Sequence, residues 1–266
     1  MTAVYHLSTG TRPLLISMPH CGTAIPEDLR DDYVPRALAT EDTDWHMPQL
    51  YAFAKALGAS VIVPHYARYV IDLNRPPDDA PMYPGASNTE LCPTRFFTGE
   101  PLYREGHAPD RDAQMARLTR YWRPYHDALA GELRRLRRLH DHVLLWDAHS
   151  IRSEIPWLFE GRLPDLNVGT ANGQAADARI AEAVMTACQA APSFSHVLNG
   201  RFKGGYITRH YGQPTQGVHA VQLEMCQSLY MREQAPFDYL PEHANRIIPT
   251  LESMVRAACS TLETLP

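Results

Sequence analysis

The chain has 266 residues, of which 44% are hydrophobic and 21% charged, with a formal net charge of −5 and a pI of about 6.2. That length suits one domain over residues 1–266 with a full core, and the mildly acidic balance excludes a nucleic-acid surface, so an anionic ligand must be met by a local arginine cluster. The five cysteines are scattered and odd in number, no apolar run approaches membrane-spanning length, and no basic segment followed by an apolar one opens the chain; a soluble, unprocessed, cytoplasmic protein with reduced thiols and no membrane contact is expected.

Taken in order, residues 14–18 form a short apolar run closed by Pro19-His20-Cys21-Gly22, a predicted strand with His20 at its exit. Thr40-Glu41-Asp42-Thr43-Asp44-Trp45-His46 leads into a helical pattern with Leu50, Phe53, Ala54 and Leu57 inward and Gly58 as its stop. Asp42 or Thr43 is placed to cap that helix, and Asp44 falls in its first turn, where the dipole favours an anion. Residues 60–64 and 69–73 read as two further strands, the second ending in Asn74-Arg75-Pro76-Pro77, whose double proline holds Asn74 and Arg75 on a rigid loop. Arg75 there can offer two parallel donors to a carboxylate, with an internal pair to Asp72 or Asp78 as the competing use. Residues 79–110 lack periodicity and are expected to form a long ordered loop over the site, anchored by Tyr83, Phe96, Phe97 and Tyr103.

Residues 111–140 carry Met115, Leu118, Trp122, Tyr125, Leu129, Leu133 and Leu136 at helical spacing, with Pro124 predicting a kink or a split. The arginines at 134, 135, 137 and 138 fit a solvated face. Residues 143–150 form a Val- and Leu-rich run ending in Asp147-Ala148-His149-Ser150. This is a buried strand that presents a carboxylate and an imidazole on one side of its carboxyl end, where open α/β sheets bind ligands. Residues 166–170 suit a strand or extended edge, and residues 175–190 a helix. Residues 199–212 combine glycines, aromatics and the cations Arg201, Lys203 and Arg209, as a loop closing over an anion would. Residues 219–224 form a strand delivering Glu224 near its end, where burial prepares a carboxylate as a general base; a structural salt bridge is the competing account. A final helix spans residues 241–264, with Ile247, Ile248, Leu251, Met254 and Val255 inward.

His20, His149 and an acid at Asp42 or Asp44 supply the parts of a mononuclear hydrolytic site. Two histidines and a carboxylate leave one position open on a tetrahedral divalent ion, most naturally zinc, where water becomes acidic enough to attack a carbonyl. Glu224 would take the proton from that water and pass it to the departing amine. Arg75, helped by Arg209 or Lys203, would neutralise substrate carboxylates.

The segments Pro19-His20-Cys21-Gly22, Asp42-Thr43-Asp44-Trp45-His46, Arg68-Tyr69-Val70-Ile71-Asp72-Leu73-Asn74-Arg75-Pro76-Pro77, Trp146-Asp147-Ala148-His149-Ser150, the glycine-rich stretch from Phe202 to Gly212, and Gln222-Leu223-Glu224-Met225 together resemble the N-formylglutamate amidohydrolase family, over essentially the whole chain. The resemblance implies an α/β fold of one three-layer domain, a mixed central sheet flanked by helices, similar to the zinc carboxypeptidases. It matches His20 and His149 to the zinc histidines, Asn74-Arg75 to the pair that grips a substrate carboxylate, and Glu224 to the catalytic glutamate. Zinc carboxypeptidases carry a glutamate ligand three residues after the first histidine. Here that position is Thr23, so the third ligand is expected from elsewhere, Asp44 in preference to Asp42.

The implied reaction is hydrolysis of N-formyl-L-glutamate, a small dianion, to formate and L-glutamate, the last step of one route of histidine degradation. The alternatives are a zinc-dependent deacylase or carboxypeptidase-like hydrolase of another N-acyl amino acid, and a non-catalytic amino-acid-binding relative. The joint presence of His20, His149 and Glu224 favours an enzyme over a binder.

Overall fold

A computed structural model of the chain describes residues 3–82 and 88–266. Seven strands form one mixed sheet: β1 (Tyr5–Ser8), β2 (Leu14–Ser17), β3 (Ser60–Pro64), β4 (Val143–Ile151), β5 (Leu166–Gly169), β6 (His196–Leu198) and β7 (Val218–Cys226), in the order β1-β3-β2-β4-β7-β5-β6. Strands β3, β2, β4 and β7 run parallel, β1 is antiparallel to β3, and β5 is antiparallel to β7. Central parallel strands are covered on both faces, which is why β4 is buried along its whole length.

The period of two divides each central strand between two cores. On one face Leu14, Ile16, Leu144, Trp146, Val221 and Leu223 pack against the helices α4 (Ala178–Gln189) and α6 (Pro241–Leu262). On the other, Leu15, Val143, Leu145 and Ala220 meet α3 (Arg123–Arg137). Helix, sheet and helix thus form three layers, as expected. Residues 111–137 are one helical run in three parts: α2 (Arg111–Arg117), capped by the Asp110 carboxylate accepting from Ala113 N–H at 2.9 Å; a π turn over Leu118–Trp122; and α3. The wide turn lies immediately before Pro124 and accommodates its missing N–H, so the helix is re-wound there rather than broken. Met115, expected inward, is 47% exposed.

Three sequence expectations are corrected. Residues 69–73 are not a strand; the run is apolar because it is buried in a core shared with Leu91, Cys92, Phe96, Leu102 and Tyr103. Its carbonyls are met by side chains in place of a neighbouring strand: Tyr33 OH donates to Tyr69 O, Arg117 to Val70 O and His126 Nε2 to Leu73 O, at 2.9, 3.3 and 2.9 Å. The helix expected to run to Leu57 is a single turn, α1 (Met47–Leu50), followed by a 3₁₀ turn over Ala52–Lys55, and it begins after His46 with no side-chain cap from Asp42 or Thr43. The 199–212 segment is not all loop, since Tyr206–Tyr211 form helix α5. Strands β1 and β6, too short and too exposed to signal themselves, were not anticipated.

Within the 79–110 segment Phe96, Phe97 and Tyr103 are buried anchors, while Tyr83 lies outside the described residues. All five cysteines carry free thiols, and no helix among the described residues is long and apolar enough to cross a membrane.

Candidate active site

Register places the chemistry. Asp147 of β4 lies opposite Ser17 of β2 and Gln222 of β7; two residues further on, His149 lies opposite Glu224, which in turn faces Asn167 of β5. Because side chains two apart share a face, Asp147, His149, Gln222 and Glu224 all rise on one side of the sheet near the carboxyl ends of β4 and β7. His20 joins them from the turn after β2, where its carbonyl accepts from Asp44 N–H at 3.0 Å and so fixes the Asp44 segment beside it.

His20, Asp44 and His149 are all buried and offer ligand atoms within 4.8 Å of one another. Asp44 Oδ2 is 3.2 Å from His149 Nδ1 and 3.8 Å from His20 Nδ1, and the two rings are 4.8 Å apart. Ligands at about 2.0–2.2 Å from a tetrahedral ion stand about 3.3–3.6 Å apart, so the spacing suits one divalent ion. The far side of each ring is held by its own carboxylate. His20 Nε2 donates to Asp72 Oδ1 at 2.7 Å and His149 Nε2 to Asp147 Oδ1 at 3.1 Å, which turns both Nδ1 atoms toward Asp44.

Those outer carboxylates are themselves supported. Asp72 accepts from Arg68 at 2.6 Å and from Asn74 N–H at 2.8 Å; Asp147 accepts from Thr208 Oγ at 3.0 Å. Burial disfavours charge on Asp72, but His20, Arg68 and Arg75 hold it well below the usual carboxylate range. Burial, helped by Arg68, lowers the His20 pKa and keeps a lone pair available. Burial also opposes charge on His149, yet Asp147 and Asp44 outweigh it and raise that pKa well above the ordinary imidazole value. Glu224 is 8% exposed, and burial raises its pKa to about 8 against the pull of His149.

Asp42 stands outside this group. Its carboxylate accepts from Tyr69 OH at 2.8 Å and Phe97 N–H at 2.9 Å and pairs with Arg152, so it ties the loop down. Thr23 is exposed.

A cavity beside the donor cluster is lined by His20, His149 and Glu224 together with Asn74, Arg75, Arg68 and Arg201. Asn74 is heavily engaged: its Nδ2 lies 2.9 Å from His149 Nε2 and 3.4 Å from Asp147, and its Oδ1 accepts from Ile207 N–H at 2.8 Å, at the start of α5. Arg75 donates to Thr89 O, Thr89 Oγ and Asn74 O at 2.9, 2.6 and 3.0 Å, which aims it from the loop wall rather than from a strand end. Lys203 and Arg209 are not among the lining residues; the Lys203 carbonyl accepts from Ala171 N–H, and Arg209 Nε donates to Gly204 O at 2.8 Å. Sequence reasoning named Arg201 only among the cations of the 199–212 segment, and it missed Arg68 as a lining residue and Asp72 as the partner of His20. Arg68 and Asp72 pair across four residues of irregular chain, and reading residues 69–73 as a strand hid the role of Asp72.

Two imidazoles and a carboxylate converging beside a buried glutamate are the equipment of a metal-assisted hydrolase. The sequence profile of the family described as N-formylglutamate amidohydrolase matches residues 12–231, and the chain belongs to that family. It is 52% identical to the N-formylglutamate deformylase of Pseudomonas putida, over 97% of this chain and 96% of that one, and 55% identical to the N-formylglutamate deformylase of Pseudomonas aeruginosa, over 90% of each. The crystal structure of N-formylglutamate amidohydrolase from Ralstonia eutropha shares the fold, with a TM-score of 0.81 at 22% identity over 96% of this chain and 97% of that one.

Proposed function

We propose that the chain hydrolyses N-formyl-L-glutamate to formate and L-glutamate, acting as one domain on a small dianion. The observation that carries this reading is the sheet row that sets Glu224 against His149, one of three converging ligand groups, in a cavity bordered by arginines. His20, Asp44 and His149 would hold a divalent ion, with zinc the best match to two nitrogens and one carboxylate. When bound, such an ion supplies Lewis acidity toward the formyl oxygen and makes nearby water more acidic.

The remaining work belongs to side chains. Glu224 accepts a proton from the attacking water as its oxygen bonds to the formyl carbon, and then delivers that proton to the amide nitrogen as the C–N bond breaks; formate and the free amino group of glutamate are the products. Arg75 orients the substrate through a carboxylate. Asp72 and Asp147 orient the ligand imidazoles so that each Nδ1 faces Asp44. Five free thiols support a reducing compartment such as the cytoplasm.

The test is formate release by the purified protein from N-formyl-L-glutamate, N-acetyl-L-glutamate, N-carbamoyl-L-glutamate and N-formyl-L-aspartate. N-formyl-L-glutamate is expected to lead by at least about tenfold in kcat/KM; equal rates on all four reject the assignment.

A further inference from the structure

N-formyl-L-glutamate carries two carboxylates about 5 Å apart when extended, separated by two methylenes beyond the α carbon. One arginine cannot grip both while the formyl group stays at the ligand cluster. Among the described residues three arginines border the cavity, Arg68, Arg75 and Arg201. Arg68 is drawn into the Asp72 pair that holds His20, and Arg75 is anchored on the Thr89 wall next to Asn74. Arg201 enters from a different segment, between β6 and α5.

The cavity that takes in the ligand cluster and Arg201 also has apolar lining. Ile151 follows His149 by two residues on β4, so it shares that face one step further out, and Leu158 and Phe202 line the cavity beyond it. These side chains belong to a small apolar cluster separate from the two main cores, built on Phe97, Ile151, Ile155 and Leu163. A cavity that combines an imidazole cluster, aliphatic and aromatic surface and a guanidinium suits two methylenes ending in a carboxylate.

Arg201 is held for that task. Its Nε donates to Leu158 O at 3.2 Å, and its guanidinium carbon lies 5.4 Å from the Phe202 ring centroid. The segment is pinned on both sides. Asn199 Oδ1 accepts from Thr170 N–H at 2.9 Å, the Lys203 carbonyl accepts from Ala171 N–H at 2.6 Å, and Gly205 N–H donates to Gln222 Oε1 at 2.7 Å. The 152–163 segment opposite is fixed as well, since the Glu233 carboxylate accepts from Ser153 N–H and Oγ and from Ser228 N–H. We infer that Arg201 binds the side-chain carboxylate of the substrate and sets the selectivity for glutamate over shorter or uncharged side chains, leaving the α-carboxylate to Arg75. This rests on the reaction proposed above.

The experiment compares wild type, Arg201→Met and Arg201→Lys on N-formyl-L-glutamate and on N-formyl-L-methionine, which has similar length without the charge. Metal content and thermal melting are measured on each protein. Arg201→Met is expected to lower kcat/KM for N-formyl-L-glutamate about 100-fold while leaving N-formyl-L-methionine unchanged or improved, with Arg201→Lys between the two, because only the charged substrate loses its partner. Equal losses on both substrates, or no change in their ratio, overturn the assignment. Should Arg201→Met fail to fold, an unmoved substrate ratio in Arg201→Lys overturns it equally, and a shifted one supports it. A wild-type protein inactive on N-formyl-L-glutamate overturns the reaction and this assignment with it, whereas an active wild type with an unmoved ratio overturns Arg201 alone.

Discussion

Glu224 has two competing uses, internal ion pair and proton carrier, and its surroundings favour the second. Burial pushes its pKa to about 8 even though His149 pulls the other way, whereas a paired carboxylate would sit below its ordinary value. Replacing Glu224 with Gln keeps the volume and removes the proton acceptor. Turnover is expected to fall about 10²–10⁴-fold with metal content unchanged, measured by formate release beside elemental analysis. Near-normal turnover would remove Glu224 from the reaction. His149 shows the same economy of placement: Asp44 faces one ring nitrogen and Asp147 the other, so neither nitrogen of this buried ring is left to chance.

At the scale of elements, a site made from β4, β7 and two loops depends on how closely the loops approach the sheet. Gly205, at the start of α5, shows the tolerance: a Cβ there would lie 2.4 Å from Asn74 Nδ2, and Asn74 bridges α5 to His149 and Asp147. Gly205→Ala must therefore displace Asn74. We expect at least about a tenfold loss of activity, with a stability cost of about 1–3 kcal/mol readable in a thermal melt; wild-type kinetics would show that Asn74 can move without consequence. The strands that hold the site were legible because β4 and β7 are long, almost wholly buried and carry polar residues toward their carboxyl ends. Residues 69–73 misled for the same reason. They are equally apolar, but side chains of Tyr33, Arg117 and His126 satisfy their carbonyls, and those partners are 36–53 residues away in sequence, beyond what periodicity reports. Asp44 was legible as an acid near the site, yet only the folded turn after β2 separates its role from that of Asp42. Arg201 lines the cavity while Lys203 and Arg209 do not, and a glycine-rich run gives no indication of which of its cations will do so.

Across the whole molecule, buried polar groups that do not line the cavity tie stability to pH. His126 stacks on Trp122 at 3.7 Å, contacts Leu73 O and Tyr211 OH at 2.9 Å each, and burial lowers its pKa to about 3. His219, between Asp177 N–H and His142, is lowered by burial to about 4. Both folded values lie below the unfolded value of 6.5, so below pH 6.5 the unfolded chain binds protons that the folded one refuses. The stability they contribute is complete above pH 6.5 and is lost as pH falls through 6.5 toward 4 and 3. Urea unfolding at pH 7, 5.5 and 4.5 should show His126→Gln with a shallower loss than wild type, by about one proton in the slope; identical slopes would mean that His126 is already protonated in the folded state.

On the reading proposed above, side chains from the turn after β2, the Asp44 segment and β4 hold one divalent ion that the reaction needs. Stripping the purified protein with a chelator and titrating zinc back, while following formate release from N-formyl-L-glutamate, tests it directly. Activity should vanish on stripping and return in proportion to zinc up to one equivalent per chain, with His149→Ala neither retaining the ion nor recovering. Full turnover by the stripped protein would contradict the account.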